Sequence, residues 1–281
     1  MSASDLAEMP AEVPLPLPAQ QLRRLVYRSG ETSEGLRTIA EETAVALSYG
    51  GSTHAVMMAS PRDLEDFAVG FSLTERVIER ASEIEAMEVV PTEEGVDIQI
   101  WLATPRAEAH VTRHRHLAGP TGCGLCGIDS LSEAMRRPLQ VGASIRLDTN
   151  SVLEAIASIV PHQSLNRQTG AVHAAGFWRP SVGLVALRED VGRHNALDKL
   201  IGALARQGDN AEDGALLLTS RVSVEMVQKA SVLGAGILIA VSAPTALAIR
   251  MAEAAGITLV AIARRDGFEA FAHPHRIISP E

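Results

Sequence analysis

The sequence predicts an α/β protein with two folded parts. Apolar runs of strand length alternate with helical segments over about the last hundred residues, a pattern typical of a mostly parallel sheet covered by helices. A smaller α+β unit of short strands and one helix precedes them. The chain has 281 residues, of which 46% are hydrophobic and 21% are charged. This composition is typical of one or two soluble globular domains.

The N-terminal part is predicted to contain a tail and a small domain. Residues 1–24 include four prolines between positions 10 and 18 and are predicted to be a disordered, Pro-rich tail. Residues 25–104 are predicted to form the α+β domain. Its expected strands lie at 44–47 and 55–58, and strands at 88–90 and 96–102 are expected to pair as a hairpin.

The helix of this domain is predicted to begin at Ser60-Pro61-Arg62-Asp63. Serine is a favourable N-cap, proline is favoured at the first helical position, and acidic residues are favoured in the first turn. An apolar face at helical spacing follows, so the helix is expected to reach about Arg80.

Residues 105–130 are predicted to form a mobile linker that carries a Cys-x-x-Cys loop. The stretch is polar, contains His110, His114 and His116, and leads through Gly119-Pro120-Thr121-Gly122 to the cysteines. The stretch lacks the periodicity of a helix or a strand, so it is expected to be a linker between the two folded parts.

Residues 131–281 are predicted to form the larger α/β domain. Ser151 and Glu154 have the spacing of a capping box, which predicts a helix that runs to about Val160. Further helices are expected at 195–206, 224–233 and 244–255. Strands are expected at 183–187, 215–218, 237–241 and 257–262.

Ligands of open α/β sheets bind beyond the carboxyl ends of the strands. This rule selects four polar junctions, at residues 188–195, 219–225, 242–245 and 263–268. The helix N-terminus and the arginine at the first junction suit an anionic ligand. The candidate ligand-binding residues at the first three junctions are Arg193, His194, Ser220, Arg221 and Ser242.

Structural alternatives remain open at these junctions. In one alternative, Asp190 or Glu189 only pairs with Arg193 in an ion-pair network. Lys229 lies four residues after Glu225, the spacing of a simple helical ion pair. The stretch Arg264-Arg265-Asp266-Gly267 is either a phosphate or guanine contact or an ordinary charged turn.

The two cysteines of the chain, Cys123 and Cys126, lie in one glycine-rich segment. A single pair rules out a disulfide scaffold. A Cys-x-x-Cys setting can lower the pKa of a thiol, and neighbouring glycines let the backbone approach another molecule. The segment also matches G-x-G-x-x-G, but no strand precedes it, so a dinucleotide fingerprint is rejected.

A zinc site is the main alternative for the cysteines. Two thiolates and two of the linker histidines would complete a tetrahedral site, although Arg113 and Arg115 would repel a cation. Deaminase zinc chemistry is not expected, because His173 is followed by Ala174-Ala175 and no proline precedes Cys123. A thioredoxin-like dithiol oxidoreductase would need a βαβ context that is missing here.

The charge pattern limits the kinds of partner that this protein is expected to bind. The net charge of −9 lies entirely in residues 1–118, and aromatic residues make up 3% of the chain. Neither property favours nucleic-acid binding. The first basic residue is Arg23, and the longest apolar run is too short to cross a bilayer. We therefore expect a cytoplasmic protein with no nucleic-acid or membrane partner.

These motifs together resemble the formate dehydrogenase accessory protein family (FdhD/NarQ), over about residues 37–278. Two departures are Ala171, where a second glycine is expected, and Ser220, where many members have glycine. Neither removes a reactive group. The motifs that carry the resemblance are residues 60–75, Cys123-Gly124-Leu125-Cys126-Gly127, Thr169-Gly170-Ala171-Val172-His173, residues 189–199, residues 220–229 and Ser242-Ala243-Pro244-Thr245.

The resemblance implies a three-layer C-terminal domain of cytidine-deaminase-like fold, without its zinc, beside a smaller N-terminal domain. It implies transfer of sulfur from a cysteine desulfurase to the bis-molybdopterin guanine dinucleotide molybdenum cofactor, which is bound as a client, with no resident metal. The persulfide cysteine corresponds to Cys123, with Cys126 as a second required thiol. The implied partners are the desulfurase, the formate dehydrogenase catalytic subunit and a second copy of the chain.

The resemblance also places cofactor binding near the end of the last predicted strand. The residues concerned are Ile262, Ala263, Arg264, Arg265, Asp266 and Gly267. Two functions are therefore weighed for the whole chain. One is a persulfide-based sulfurtransferase, and the other is a non-catalytic, zinc-bearing cofactor-binding protein.

Overall fold

The computed structural model describes residues 13–104, 106 and 135–279. A long β-hairpin comes first, formed by β1 (Ala19–Arg28) and β2 (Glu31–Ala40). Ser29 and Gly30 have positive φ values of 53° and 83°, which is the geometry of a tight hairpin turn. Because β1 begins at Ala19, residues 19–24 belong to a strand and not to the predicted tail.

A four-stranded sheet with one covering helix follows. Its strands are β3 (Thr43–Tyr49), β4 (Ser52–Ala59), β5 (Ile84–Thr92) and β6 (Gly95–Leu102), in the order β4-β3-β6-β5. Helix α1 (Leu64–Thr74) buries Phe67 against Leu47 and Ile98. The predicted strands and the predicted hairpin of β5 and β6 are confirmed.

Helix α1 differs from its prediction at both ends. It begins at Leu64, after Asp63 in the left-handed conformation, and no side chain caps it. The predicted cap, Ser60, instead receives a hydrogen bond from the backbone of Val191 at 3.1 Å. The helix ends at Thr74 and not near Arg80, because Arg76 takes a positive φ of 57°, which a continuing helix cannot accommodate.

The C-terminal part is built on a six-stranded sheet. Its strand order is β13-β12-β11-β10-β8-β9, and a separate short parallel pair joins β7 to β14. The strands are β7 (Leu147–Asp148), β8 (His173–Arg179), β9 (Gly183–Asp190), β10 (Ala215–Leu218), β11 (Ile237–Ala240), β12 (Thr258–Arg264), β13 (Gly267–Ala272) and β14 (Ile277–Ile278).

The prediction of a mostly parallel sheet is wrong. Only β10–β11 and β11–β12 are parallel, while β8–β9, β8–β10 and β12–β13 are antiparallel. The two strands that the sequence analysis did not identify, β8 and β13, account for all three antiparallel pairs. The sheet is therefore mixed, with a parallel centre.

Helices cover both faces of this sheet and give three layers. The cluster on one face includes Leu197, Met226 and Ala252, and the cluster on the other includes Val152 and Ile156. The specific cytidine-deaminase-like arrangement stays a prediction. The helices are α2 (Thr149–Ser158), α3 (Ser164–Thr169), α4 (Arg193–Gln207), α5 (Val224–Leu233) and α6 (Ala246–Ala255).

The predicted capping box at Ser151 and Glu154 is wrong. Asp148 is the N-cap of α2, and its carboxylate accepts hydrogen bonds from the Ser151 backbone at 2.8 Å and from the Ser151 hydroxyl at 2.9 Å. An aspartate at this position serves the same purpose as the predicted serine. The N-cap consequently lies three residues earlier than predicted, and the helix ends at Ser158.

A close helix pair joins the two parts of the protein. Helix α1 packs on α4 with Gly70 and Gly202 at the crossing. A Cβ atom at Gly70 would lie 1.7 Å from the carbonyl oxygen of Asp198, and one at Gly202 would lie 1.8 Å from that of Asp66. Only glycine permits this approach, so the interface depends on both positions.

Candidate functional site

The carboxyl ends of the parallel strands form one continuous polar edge. The backbone N–H of Val222 donates to the carbonyl of Ala243 at 3.2 Å, and that of Thr245 donates to Val222 at 2.9 Å. The N–H of Ile262 donates to the carbonyl of Ser242 at 3.3 Å. The structure thus brings together the junctions after β10 and β11 and the C-terminal end of β12. These positions hold Ser220, Arg221, Ser242 and Ile262.

The first junction reaches the same edge through β8. The Ala174 backbone donates to the Thr219 hydroxyl at 2.8 Å, which fixes the start of β8 beside the end of β10. Strand β9 runs back along β8 and ends at Asp190, after which Arg193 begins α4. Arg193 and His194 therefore lie at this edge, as the sequence predicts.

His173 is a neighbour that the sequence analysis did not include in the site. Burial lowers the pKa of its imidazole, and the nearby Arg193 guanidinium lowers it further, while Asp190 acts in the opposite direction. His173 is the last residue of the motif at 169–173, but the strand that it begins was not predicted, so its position at this edge could not be inferred.

His194 is held in its neutral form at pH 7. Burial lowers its pKa to about 4, and the positive charges of Arg193 and Lys229 act in the same direction. The Nε2 atom of His194 and the Nε atom of Arg193 are buried and have no hydrogen-bond partner within the described part of the chain.

The alternative in which Arg193 pairs with Asp190 or Glu189 is not found. Asp190 accepts hydrogen bonds from Lys199 Nζ at 2.6 Å and from the Ser60 backbone at 2.9 Å. Both Glu189 oxygens accept backbone N–H groups at the start of α3, those of Leu165 and Asn166, at 2.8 Å. Both carboxylates are therefore already engaged elsewhere.

The alternative of a helical ion pair between Lys229 and Glu225 is not found either. Lys229 Nζ donates to both carboxylate oxygens of Asp198 at 2.9 Å and to the Thr74 hydroxyl at 2.9 Å. It also lies 3.4 Å from Glu75 Oε1. Lys229 therefore links α5 to α4 and α1, because its side chain points into the interface between the two parts.

The C-terminal end of β12 has an unusual backbone. Ile262 takes a φ of 52°, a left-handed conformation that is rare for a β-branched residue and is concentrated at functional sites. The pairing of β12 with β13 shifts between Ala261 and Arg264. Beyond this irregularity Arg264, Arg265 and Asp266 are exposed to solvent.

Two further polar residues at this edge were not among the predicted site residues. Ser223 is the N-cap of α5, but its side chain makes no capping hydrogen bond. Its Oγ atom and the Oε2 atom of Glu225 are buried without a partner in the described residues. The available signal was the Ser-x-Glu spacing directly after a buried strand.

Cys123, Cys126 and the histidines at 110, 114 and 116 lie outside the described residues, so their geometry cannot be added to this site. Within residues 13–104, 106 and 135–279, no group of histidine, cysteine and carboxylate side chains could hold a metal ion. The helices of the same ranges include none that is long and apolar enough to cross a membrane.

Comparison with known proteins gives a consistent result. Residues 40–278 match the model of the FdhD/NarQ family. The sulfur carrier protein FdhD of Agrobacterium fabrum is 53% identical over 260 residues, which is 92% of this chain and 96% of the relative. The protein of the same name from Cupriavidus necator is 47% identical over 251 residues, 89% of this chain and 87% of the relative.

A solved structure has the same fold. The crystal structure of a protein assigned as a formate dehydrogenase accessory protein, from Desulfotalea psychrophila, superposes with a TM-score of 0.72 at 27% sequence identity. The match covers 94% of this chain and all (100%) of the other.

Proposed function

The chain belongs to the FdhD/NarQ family, and from this premise we propose that it is a sulfur carrier in the maturation of formate dehydrogenase. The observation that carries the proposal is its 53% identity, over 92% of its length, to a protein named a sulfur carrier. Cys123 and Cys126 are the only residues of the chain whose side chains can carry sulfur as a persulfide.

In the first step, sulfur moves to Cys123 from the persulfide of a cysteine desulfurase. The Cys123 thiolate attacks the outer sulfur of the donor, the new S–S bond forms, and the donor S–S bond breaks to release the donor thiolate. The product is Cys123 persulfide, and no electron is gained or lost overall.

In the second step, the terminal sulfur of Cys123 passes to the molybdenum cofactor, which is the client. The Cys126 thiolate attacks the inner sulfur of the Cys123 persulfide and expels hydrosulfide. A Cys123–Cys126 disulfide remains, and a cellular dithiol reduces it before the next cycle. In this scheme Cys123 carries the sulfur and Cys126 releases it.

The client is bound at the polar edge of the larger sheet. Arg193 has a buried donor without a partner among the described residues, which fits the anionic character of a dinucleotide cofactor. The remaining cofactor-binding residues of the proposal are His194, Ser220, Arg221, Ser242 and the turn from Ile262 to Gly267. Because the chemistry requires reduced thiols, we place the protein in the cytoplasm, with the desulfurase, the formate dehydrogenase catalytic subunit and a second copy as partners.

Intact-mass measurement tests the sulfur step directly. The full chain is incubated with a cysteine desulfurase and cysteine and is expected to gain one sulfur atom. Cys123→Ala is expected to gain none, whereas Cys126→Ser still loads sulfur but releases it more slowly. Loading of Cys123→Ala to the level of the unmodified chain would overturn the assignment of Cys123.

The same preparations test the zinc alternative. Elemental analysis that finds about one zinc per chain, lost when both cysteines are replaced by alanine, would favour the zinc-bearing binding protein. A chain that gains sulfur and holds no stoichiometric zinc supports the sulfur carrier.

A further inference from the structure

The outer edge of β9 is not paired with any other strand of the described residues. Strand β9 stands last in the order of the larger sheet, and its only strand partner is β8. An unpaired edge presents a row of backbone N–H and C=O groups with which another chain can pair. Residues 184–188 of β9 are all partly exposed, so this edge is accessible from the solvent.

A cleft of about 270 Å³ follows this edge, and its lining includes every residue of β9 from Leu184 to Glu189. Successive side chains of a strand point to opposite faces, so a cleft on one face would be lined by alternate residues only. Leu184 and Leu187 pack against the core on one face, and Val185 and Ala186 pack against the core on the other. The cleft therefore runs along the edge of the strand.

The backbone groups of Leu187 point outward from this edge. The N–H of Thr219 donates to the carbonyl of Ala174, so Ala174 faces β10 and the next residue of β8, Ala175, faces β9. Ala175 pairs with Arg188, which directs the N–H and C=O of Leu187 away from β8. In agreement with this direction, the carbonyl of Leu187 accepts a hydrogen bond from the Arg188 guanidinium at 2.9 Å.

The walls of the cleft are polar. Arg62 and Asp63 precede α1 on one side, and His162 and Ser164 lie at the start of α3 on the other. The Arg62 guanidinium lies 3.5 Å from the Asp63 carboxylate and donates to the Ser164 hydroxyl at 3.3 Å. The volume of about 270 Å³ is below the range typical of small-molecule pockets, whereas an extended peptide needs only a shallow groove beside a strand.

The surface around α3 is basic, although the net charge of the chain is −9. Arg37, Arg62 and Arg167 are all exposed there. Arg37 donates to the carbonyl of Thr169 at 3.2 Å, and Arg167 donates to the carbonyl of Pro161. These carbonyl acceptors do not neutralise the two guanidinium charges. A negatively charged segment is therefore the complementary partner for this surface.

We propose that the free edge of β9 binds an extended, acidic peptide segment of a partner protein, which adds to the larger sheet as a further strand. Backbone hydrogen bonds to Leu187 and its neighbours give the affinity, and the arginines around α3 select negatively charged side chains. None of the cleft residues belongs to the proposed client-binding set. The inference therefore goes beyond the carrier function and adds a surface that recognises a protein.

Fluorescence polarisation of a labelled peptide with the full chain tests the backbone pairing. The probe alternates valine and threonine and has a glutamate at each end. Leu187→Pro removes an outward N–H at an edge, where a strand tolerates proline, and is expected to weaken binding at least about 10-fold. Leu187→Ala is the matched control, because it removes the same side chain but keeps the N–H, and it is expected to bind like the unmodified chain. A peptide with an N-methylated backbone is expected to bind at least about 10-fold more weakly than the unmethylated probe.

Charge reversal at Arg62 tests the selection of acidic segments, and it keeps the proposal testable if Leu187→Pro does not fold. Arg62→Glu is expected to weaken binding of the glutamate probe about 5-fold. The same change is expected to have little effect on a probe with glutamines in place of the glutamates. Arg250→Glu, at an exposed position of α6, is the control and leaves both affinities unchanged.

Four results would overturn the proposal. They are no binding of the glutamate probe to the unmodified chain, undiminished binding of the N-methylated peptide, undiminished binding to a folded Leu187→Pro chain, or an equal effect of Arg62→Glu on the two probes. A dimer that is lost in Leu187→Pro, without any binding of the peptide, would show that a second copy occupies the edge instead. Sulfur loading of Cys123 is measured on the same variants and is expected to be unchanged, so failure of the carrier function is distinguished from failure of this surface.

Discussion

The ammonium group of Lys199 lies 2.6 Å from the carboxylate of Asp190, and both side chains are completely buried. Removal of the lysine leaves the buried Asp190 carboxylate without an opposite charge. Lys199→Met is therefore expected to lower the free energy of unfolding by about 3–5 kcal/mol, measured by urea denaturation. Arg250→Met, at an exposed position of α6, should change it little. A Lys199→Met protein as stable as its parent would show that the pair is not needed for stability.

Substitution of a glycine at the α1–α4 crossing is also expected to destabilise the protein. The methyl group of Gly202→Ala would lie 1.8 Å from the carbonyl oxygen of Asp66, so the two helices must move apart. We expect a loss of about 3 kcal/mol or more in unfolding free energy. Gly142→Ala meets no atom within 4 Å and serves as the control. Similar melting curves for the two variants would contradict the tight crossing.

The two helix starts with hydroxyl N-caps should respond differently to alanine. Thr245 accepts a hydrogen bond from the Ala248 backbone at 3.2 Å, so Thr245→Ala is expected to cost about 1 kcal/mol. Ser223 makes no capping bond, and Ser223→Ala is expected to be neutral or slightly stabilising because it removes an unsatisfied hydroxyl. Thermal unfolding of both variants tests this. A cost at Ser223 equal to that at Thr245 would show that its hydroxyl does cap α5.

The buried His194 predicts a loss of stability in acid. Its pKa is lowered to about 4, whereas in an unfolded chain it is about 6.5. The unfolded state therefore binds more protons between these values, so stability falls as the pH drops from about 6.5 to 4. The cost below pH 4 is on the order of 3 kcal/mol. His194→Gln should show a flatter decline in unfolding free energy than the parent, whereas His275→Gln, at an exposed histidine, should follow the parent.

Local periodicity was enough to predict several elements of the fold. The apolar run at 215–218 and the amphipathic segment at 224–233 correspond to β10 and α5 at both ends, because each pattern is regular and bounded by polar residues. Strand β8 was missed because its apolar residues are interrupted by Gly176 and end in Arg179. Without β8, the antiparallel half of the sheet could not be inferred.

The polar edge was predictable, but the long-range hydrogen-bond partners of Lys229 were not. The rule that ligands bind at the carboxyl ends of strands led to Arg193 and Ser242, which the structure brings to one edge. The partner of Lys229 lies on α4 at Asp198, 31 positions away in the sequence, and Thr74 on α1 lies 155 positions away. No local pattern encodes such distances, so the sequence could offer only the nearby Glu225 as an alternative partner.

The burial of both lysines has a practical consequence for chemical labelling. Lys199 is fully buried and Lys229 is 9% exposed, and the chain has no other lysine. Amine-directed reagents therefore have little access to a lysine in the native fold. Rapid acylation of either lysine would therefore indicate that α1 has separated from α4 and α5. The two lysines can thus be used to detect opening of this interface.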